Sequence, residues 1–243
     1  MKNFKLTIQY DGSFFHGWQF QPDQTTVQGN IEKVMQSIFP DQKINLVGSG
    51  RTDAGVHAMG QVANIIIDTM YTPNDIKSIL NAKLDRKIWI SDCIETDLKF
   101  HARFCASSRY YEYHMTKKFN PFNHKRSTLM KFNINDSRLI KCSELIIGEN
   151  DFSSFCKANA EVSNKICTVY KSSWTISGSN YIFHIEANRF LQHMVRLIVG
   201  SMLEVARNRY TIGQFQSMLS SQPSISAVKA PADGLYLTKV LYD

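Results

Sequence analysis

The sequence is poor in features that announce familiar chemistries. It has 5 cysteines, at 93, 105, 142, 156 and 167. The number is odd and no CxxC occurs, so neither a zinc site nor a disulfide framework fits; reduced thiols in a cytosol are the natural reading. The seven histidines show no HxH or HxxxH spacing, and no metal site is expected. There is no GxxxxGK[ST] phosphate loop and no GxSxG nucleophile turn. Long apolar runs are missing. The most apolar helical stretch, FLQHMVRLIVGSMLEVA, carries Arg196 and Glu204 and is too polar for a membrane span. The N-terminal MKNFKLTIQYD alternates at once like a strand, so no secretory leader is expected. Low-complexity segments are also lacking. NAEVSNK and SSQPSISA read as the most mobile loops.

What is present is a basic chain of 243 residues with a net charge of +7, 43% of it hydrophobic, enough to bury a core in one large domain or two small ones. The basic excess is uneven. From Lys99 to Lys131, eight Lys or Arg face the single acid Glu112, among Phe100, Phe104, Tyr110, Tyr111, Tyr113, Phe119 and Phe122. Cations interleaved with aromatics suit a polyanion whose bases stack. A solvated face over ordinary core aromatics has the same composition.

The patterning predicts an α+β protein. FKLTIQYD, KINLVG, GQVANIIID and KIWISDCIE read as strands. A helix behind a Thr25–Gln28 capping box carries Val27, Ile31, Val34, Met35 and Ile38. A second starts at Thr72-Pro73 with Ile76, Ile79, Leu80 and Leu84 inward. The first half is therefore β-α-β-β-α-β. The second half repeats the order: RYYEYHMT, a helix capped by Asp136, CTVYKSSWTIS and NYIFHIEA joined at Gly178, a long helix capped by Asn188, a short one from Thr211 with Gln214, and GLYLTKVLY. Each half has the ferredoxin-like order. The expectation is two similar lobes, 1–105 and 106–243, flanking a cleft in which a site forms.

The turn GSGRTDAGVHA, residues 48–58, places Arg51 and Asp53 two apart among glycines, straight after an apolar stretch. Asp53 stands where a dinucleotide fingerprint needs its third glycine, and a strand follows rather than a helix, so a nucleotide cofactor is not expected. An acid beside a permanent cation stays ionised, which suits a nucleophile or general base. A plain turn aspartate is the alternative, although it accounts for neither Arg51 nor His57. In the helix after Asn188, Gln192, Arg196 and Gly200 line up at i, i+4 and i+8 beside the apolar face of Leu191, Val195, Ile198, Met202 and Val205. Arg196 is then either a buried guanidinium in need of an acid, with Asp53 a candidate, or a surface residue. In RYYEYH, Tyr111 and Tyr113 share one face, as core tyrosines or with one of them at a site.

YDGSFFHGWQFQP, TTVQGNIE, GSGRTDAGVHAMGQV, FHARFCASSRYYEYH, GENDFSSF, NRFLQHMVRLIVGSMLEV and GLYLTKVLY, in this order, resemble the signature blocks of the tRNA pseudouridine synthase A family. The resemblance covers essentially the whole chain, and GRTDAGVHA is its most specific block. It implies a cofactor-free, cytoplasmic, homodimeric isomerase that converts uridine to pseudouridine in tRNA, around positions 38 to 40 of the anticodon arm. By position, Asp53 matches the catalytic aspartate and Tyr111 the tyrosine that stacks on the target base. Arg196 matches the arginine that pairs with the aspartate, and Arg51 a motif arginine that contacts RNA and helps flip the base. Ser49 departs from a commoner small or cysteine residue, and the C-terminal tail of some members is not expected here. A pseudouridine synthase for another RNA, a non-catalytic RNA-binding module and a cofactor-using oxidoreductase are the competing readings.

Overall fold

The computed structural model describes residues 1–157, 164–220 and 225–243. The loops expected at NAEVSNK and SSQPSISA lie for the most part outside the described residues. The chain forms two compact units, Met1–Ser107 with Tyr236–Asp243, and Ser108–Leu235. No helix among the described residues is long and apolar enough to cross a membrane.

In the first unit, strand β1 (Lys2–Tyr10) leads to helix α1 (Val27–Ile38), the short β2 (Val47–Gly48), β3 (His57–Ile67), α2 (Pro73–Lys83) and β4 (Ile88–Thr96). β1 pairs antiparallel with both β3 and β4, and β2 pairs antiparallel with β3. The order β4-β1-β3-β2 is that of the ferredoxin-like unit that the element order predicts. Alternation along β1 buries Phe4, Leu6, Ile8 and Tyr10, as a half-covered strand requires. Helix α1 contributes Val27, Ile31 and Met35 to the core, and α2 contributes Ile76 and Leu80. Thr72 and Asp75 close the capping box that starts α2. The cap of α1 falls on Thr26, whose side chain accepts from Gly29 N–H, rather than on Thr25. Gln28 is drawn away from a capping box because its amide bridges Phe20 N–H, Glu32 and the Leu46 carbonyl.

The closing strand β10 (Leu235–Tyr242) shows what element order alone does not. Read in sequence it ends the second half, yet it runs parallel to β3, with Tyr236 opposite His57 and Leu237 opposite Ala58. The reason lies in β2, whose ladder on β3 reaches only Ala63 and Asn64. The remaining edge of β3, a strand buried along nearly its whole length, would otherwise carry unpaired backbone groups.

The second unit is built on β5 (Ala106–Thr116), β6 (Thr128–Leu129), α3 (Asp136–Leu145), β7 (Gly148–Asp151), β8 (Ile166–Ser177), β9 (Asn180–Ala187), α4 (Met194–Ala206) and α5 (Ile212–Ser217). Its sheet runs β5-β9-β8-β7, with β6 pairing in parallel beside β5. The sequence pattern did not reveal β6 or β7, which are too short to show a period. Two caps shift. Asn135 rather than Asp136 caps α3, freeing Asp136 to accept from the Tyr181 hydroxyl at 3.0 Å. Asn188 does not cap α4, which starts six residues later behind His193 at φ 69°. Its side chain instead accepts from Thr168 N–H at 3.0 Å and Arg189 N–H at 2.8 Å, so the local backbone wins the amide. The Thr211–Gln214 capping box of α5 forms as expected.

Candidate active site

The 48–57 turn is anchored before it presents anything. Ser49 N–H donates to Val62 O at 2.7 Å, and Ser49 Oγ lies 2.7 Å from Gln61 Oε1. Gln61 Nε2 donates back to Gly50 O at 2.9 Å. Ser49 is thus a buried part of the anchor. Asp53 opens a four-residue turn in which Val56 N–H donates to Asp53 O at 3.1 Å and Gly55 sits at φ 81°. Positive φ at the third residue is the requirement of a type II turn. The turn reading of Asp53 is therefore true of its backbone, and its side chain is half-buried. Arg51 is exposed.

The block YDGSFFHGW, residues 10–18, wraps this turn. The Tyr10 hydroxyl lies 2.8 Å from Thr52 Oγ1, with Thr52 only 7% exposed. Trp18 N–H donates to Thr52 O at 3.1 Å, and Gly55 N–H donates to Phe15 O at 3.3 Å. Gly17, at φ 92°, comes so close that a Cβ on it would lie 2.6 Å from Thr52 O. Burial pushes the Tyr10 hydroxyl pKa far up, so it stays protonated. His57 is buried at the far end of the turn and stacks on Tyr236 with ring centroids 4.6 Å apart. Gly12 N–H donates to His57 Nδ1 at 3.1 Å. The same nitrogen lies 3.3 Å from Asp11 Oδ1. Thr52 just before Asp53 and Gly55 two residues after it are each tied to 10–18, which limits the freedom of the backbone that carries the carboxylate. Sequence reasoning passed over these bracing residues, because a tyrosine at the end of a strand looks like any core tyrosine; the glycine pair in DGSFFHG was the available signal.

In the second unit, Tyr111 and Tyr113 share the inner face of β5, as alternation predicted, but differ in surroundings. Tyr113 is fully buried, its hydroxyl donating to Pro231 O at 2.9 Å and lying 2.8 Å from Thr128 Oγ1. It is a core tyrosine. Tyr111 is 8% exposed and packs edge-on against Phe190 at 4.9 Å. Arg196 is half-buried in the first turn of α4, and its Nε donates to Ala230 O at 2.9 Å. Gly200, one turn on, faces the same segment: a Cβ there would lie 2.1 Å from Val228 O. Arg196 and Gly200 thus form one face of α4 that seats residues 228–230. Gln192 is exposed and precedes the helix, so it takes no part in that stripe. Asp53 and Arg51 belong to the first unit, Tyr111 and Arg196 to the second.

Comparison with known proteins meets this geometry at the turn. A family model described as tRNA pseudouridine synthase matches residues 6–105 and 143–243. Arg51, Asp53 and Arg196 fall inside these segments and Tyr111 outside them. A tRNA pseudouridine synthase A from Brachyspira hyodysenteriae is 39% identical, covering 100% of this chain and 99% of its own. One from Finegoldia magna is 38% identical over the full length of both, and one from a Geobacillus species is 37% identical over 100% and 99%. The chain belongs to the tRNA pseudouridine synthase A family. Among solved structures, a Cbf5–Nop10–Gar1 complex aligns with 96% of the chain at 11% identity and a TM-score of 0.39, a likeness from which no detail transfers.

Proposed function

We propose that the chain isomerises uridine to pseudouridine in tRNA with Asp53 as its catalytic carboxylate, and that its targets lie at positions 38 to 40 of the anticodon arm. The observation that carries this is the GRTDAGVHA turn, held by hydrogen bonds from residues 10–18 so that a half-buried aspartate is presented from a fixed backbone. The reaction breaks the C1′–N1 bond and remakes it at C5 of the same base. Atoms and electrons balance within the substrate, and the demand on the protein is one ionised carboxylate at the sugar–base junction. Asp53 meets it either by adding to the base or by acting at the sugar.

The other roles follow from the family motif. Arg196 acts as the charge partner of the carboxylate, keeping it ionised. Tyr111 stacks on the target base and assists loss of the C5 proton. Arg51 contacts RNA as the target leaves its stack, which base-modifying enzymes require. The reading includes a homodimer in the cytoplasm and no cofactor.

Tritium release from unmodified tRNA carrying [5-³H]uridine tests the assignment. Wild type releases tritium, and Asp53→Asn loses more than about 10³-fold in rate while still binding tRNA. Undiminished turnover by the variant would remove Asp53 from the chemistry.

A further inference from the structure

The second unit carries a loop that the reaction does not use. Between β5 and β6 the chain leaves the sheet as KKFNPFNHKRS and returns to pair Met115 with Thr128. The excursion is ordered by its own turns. Asn120 accepts from Phe122 N–H at 2.9 Å, and Asn123 O accepts from Arg126 N–H at 3.0 Å. Lys125 adopts φ 60° to close it. Residues 117–126 are all exposed, and among them stand two large rings, Phe119 at 66% and Phe122 at 82% exposure.

From Tyr113 to Asn135 the chain has five Lys or Arg and no Asp or Glu. At the root of the loop lies a recess of about 400 Å³ lined by Lys117, Met130, Lys131, Phe132 and Asn133. A hydrogen bond to Tyr181 raises the pKa of Lys117, whose ammonium lies 4.8 Å from that ring's centroid. Exposed rings gain nothing for the fold. Rings set among cations, with asparagine amides beside them, provide what unpaired nucleotides take: a π-face for the base and charge for the phosphate. A lipid surface would use the rings and cations but offers nothing to the Asn133 amide that lines the recess.

We propose that residues 117–133 form an RNA-contacting surface in which Phe119 and Phe122 stack on unpaired bases of the tRNA and Lys118, Lys125 and Arg126 bind the adjoining phosphates. The proposal rests on the reading of the chain as a tRNA isomerase and assigns this surface to substrate affinity, apart from the chemical step.

The test compares wild type, Phe119→Ala/Phe122→Ala and Lys118→Gln/Lys125→Gln/Arg126→Gln as full chains. Filter binding to a tRNA transcript at several salt concentrations is measured beside tritium release. The double variant weakens binding by about fivefold or more for each ring that stacks. The triple variant lowers the slope of log affinity against log salt by about two, as expected for three phosphate contacts to a single strand. In both, kcat at saturating tRNA stays at the wild-type value. An active wild type with unaltered affinity and slope in both variants overturns the loop proposal and leaves the isomerase reading standing. An inactive wild type whose affinity still falls in the variants does the reverse. Unaltered tRNA affinity with lost binding to phosphatidylserine vesicles, or with a smaller sedimenting species, would give the rings to a membrane or to a second copy, and would equally overturn it.

Discussion

The hydroxyls of Tyr10 and Thr52, 42 residues apart in sequence, meet at 2.8 Å inside the first unit. The contact joins the end of β1 to the residue preceding Asp53, the carboxylate proposed for catalysis. Thr52 is held by its backbone as well, since its carbonyl accepts from Trp18 N–H. The residue one peptide away from Asp53 is therefore fixed at two points, one on its side chain and one on its backbone.

Removing either hydroxyl breaks a buried hydrogen bond. Tyr10→Phe and Thr52→Val should each destabilise by about 1–3 kcal/mol, and the double replacement by less than their sum. Urea denaturation of the four proteins measures this. With Asp53 as the catalytic carboxylate, the kcat of the single variants should fall with little change in KM, because the contact braces the backbone beside it. Additive stability effects would show that the two hydroxyls do not act together.

Gly17 cannot be replaced quietly. A methyl group there would lie 2.6 Å from Thr52 O, on a backbone with φ 92°. Gly17→Ala should cost about 1–3 kcal/mol and should lower kcat more than tenfold by displacing the turn. Gly213→Ala serves as the control: a Cβ there meets only Thr211 Oγ1 at 4.0 Å, in a helix, and stability should hold or rise by up to about 1 kcal/mol. Equal behaviour of the two variants would exclude a special role for Gly17.

The charge-partner role given to Arg196 is tested by its coupling to Asp53. Arg196→Met should lower kcat, and it should also lower thermal stability through loss of the hydrogen bond to Ala230 O. Arg196→Lys keeps the charge and should recover part of the rate. Combined with Asp53→Asn in a double-mutant cycle, Arg196→Met should show an interaction above about 0.5 kcal/mol in stability or tRNA affinity. A cycle with no interaction refutes the pairing and leaves Arg196 a positioning residue for residues 228–230.

The cysteines predict a pH response. Burial pushes the thiols of Cys93 and Cys142 up to about 12. Their neutral form is favoured in the folded state, so the stability they contribute is intact below the ordinary thiol pKa near 8.5 and is lost as pH rises towards 12. Buried Tyr10 and Tyr113, also raised, act in the same direction at still higher pH. Urea midpoints should fall steadily from pH 9 upward. A thiol reagent at pH 8 should label exposed Cys105 quickly and the four buried thiols, Cys93 and Cys142 among them, only on unfolding. Rapid labelling of Cys93 or Cys142 in the native protein would contradict their burial.

Much of this was legible because the relevant signals are periodic or local. Alternation in FKLTIQY, the Thr72-Pro73 start and the Thr211–Gln214 box each depend on neighbours within a few residues. The shifted caps at Thr26 and Asn135 and the failed cap at Asn188 show the limit: several polar residues compete for each helix start, and tertiary partners decide. Tyr111 and Tyr113 could be placed on one face, but their separate fates depend on Phe190, Thr128 and Pro231, which no spacing reveals. The parallel seat of β10 on β3 lay furthest out of reach. It follows from β2 being too short to cover that edge, a shortfall visible only once the ladder is drawn.

That seat also bears on synthesis. A ribosome delivers residues 108–235, the whole second unit, before it delivers Tyr236, the ring that stacks on His57. The second unit can therefore settle while the first still has an open edge on β3. The aspartate turn acquires its last support only when the final strand leaves the exit tunnel, so a nascent or prematurely terminated chain carries every residue assigned to the reaction and still lacks part of the frame that holds them.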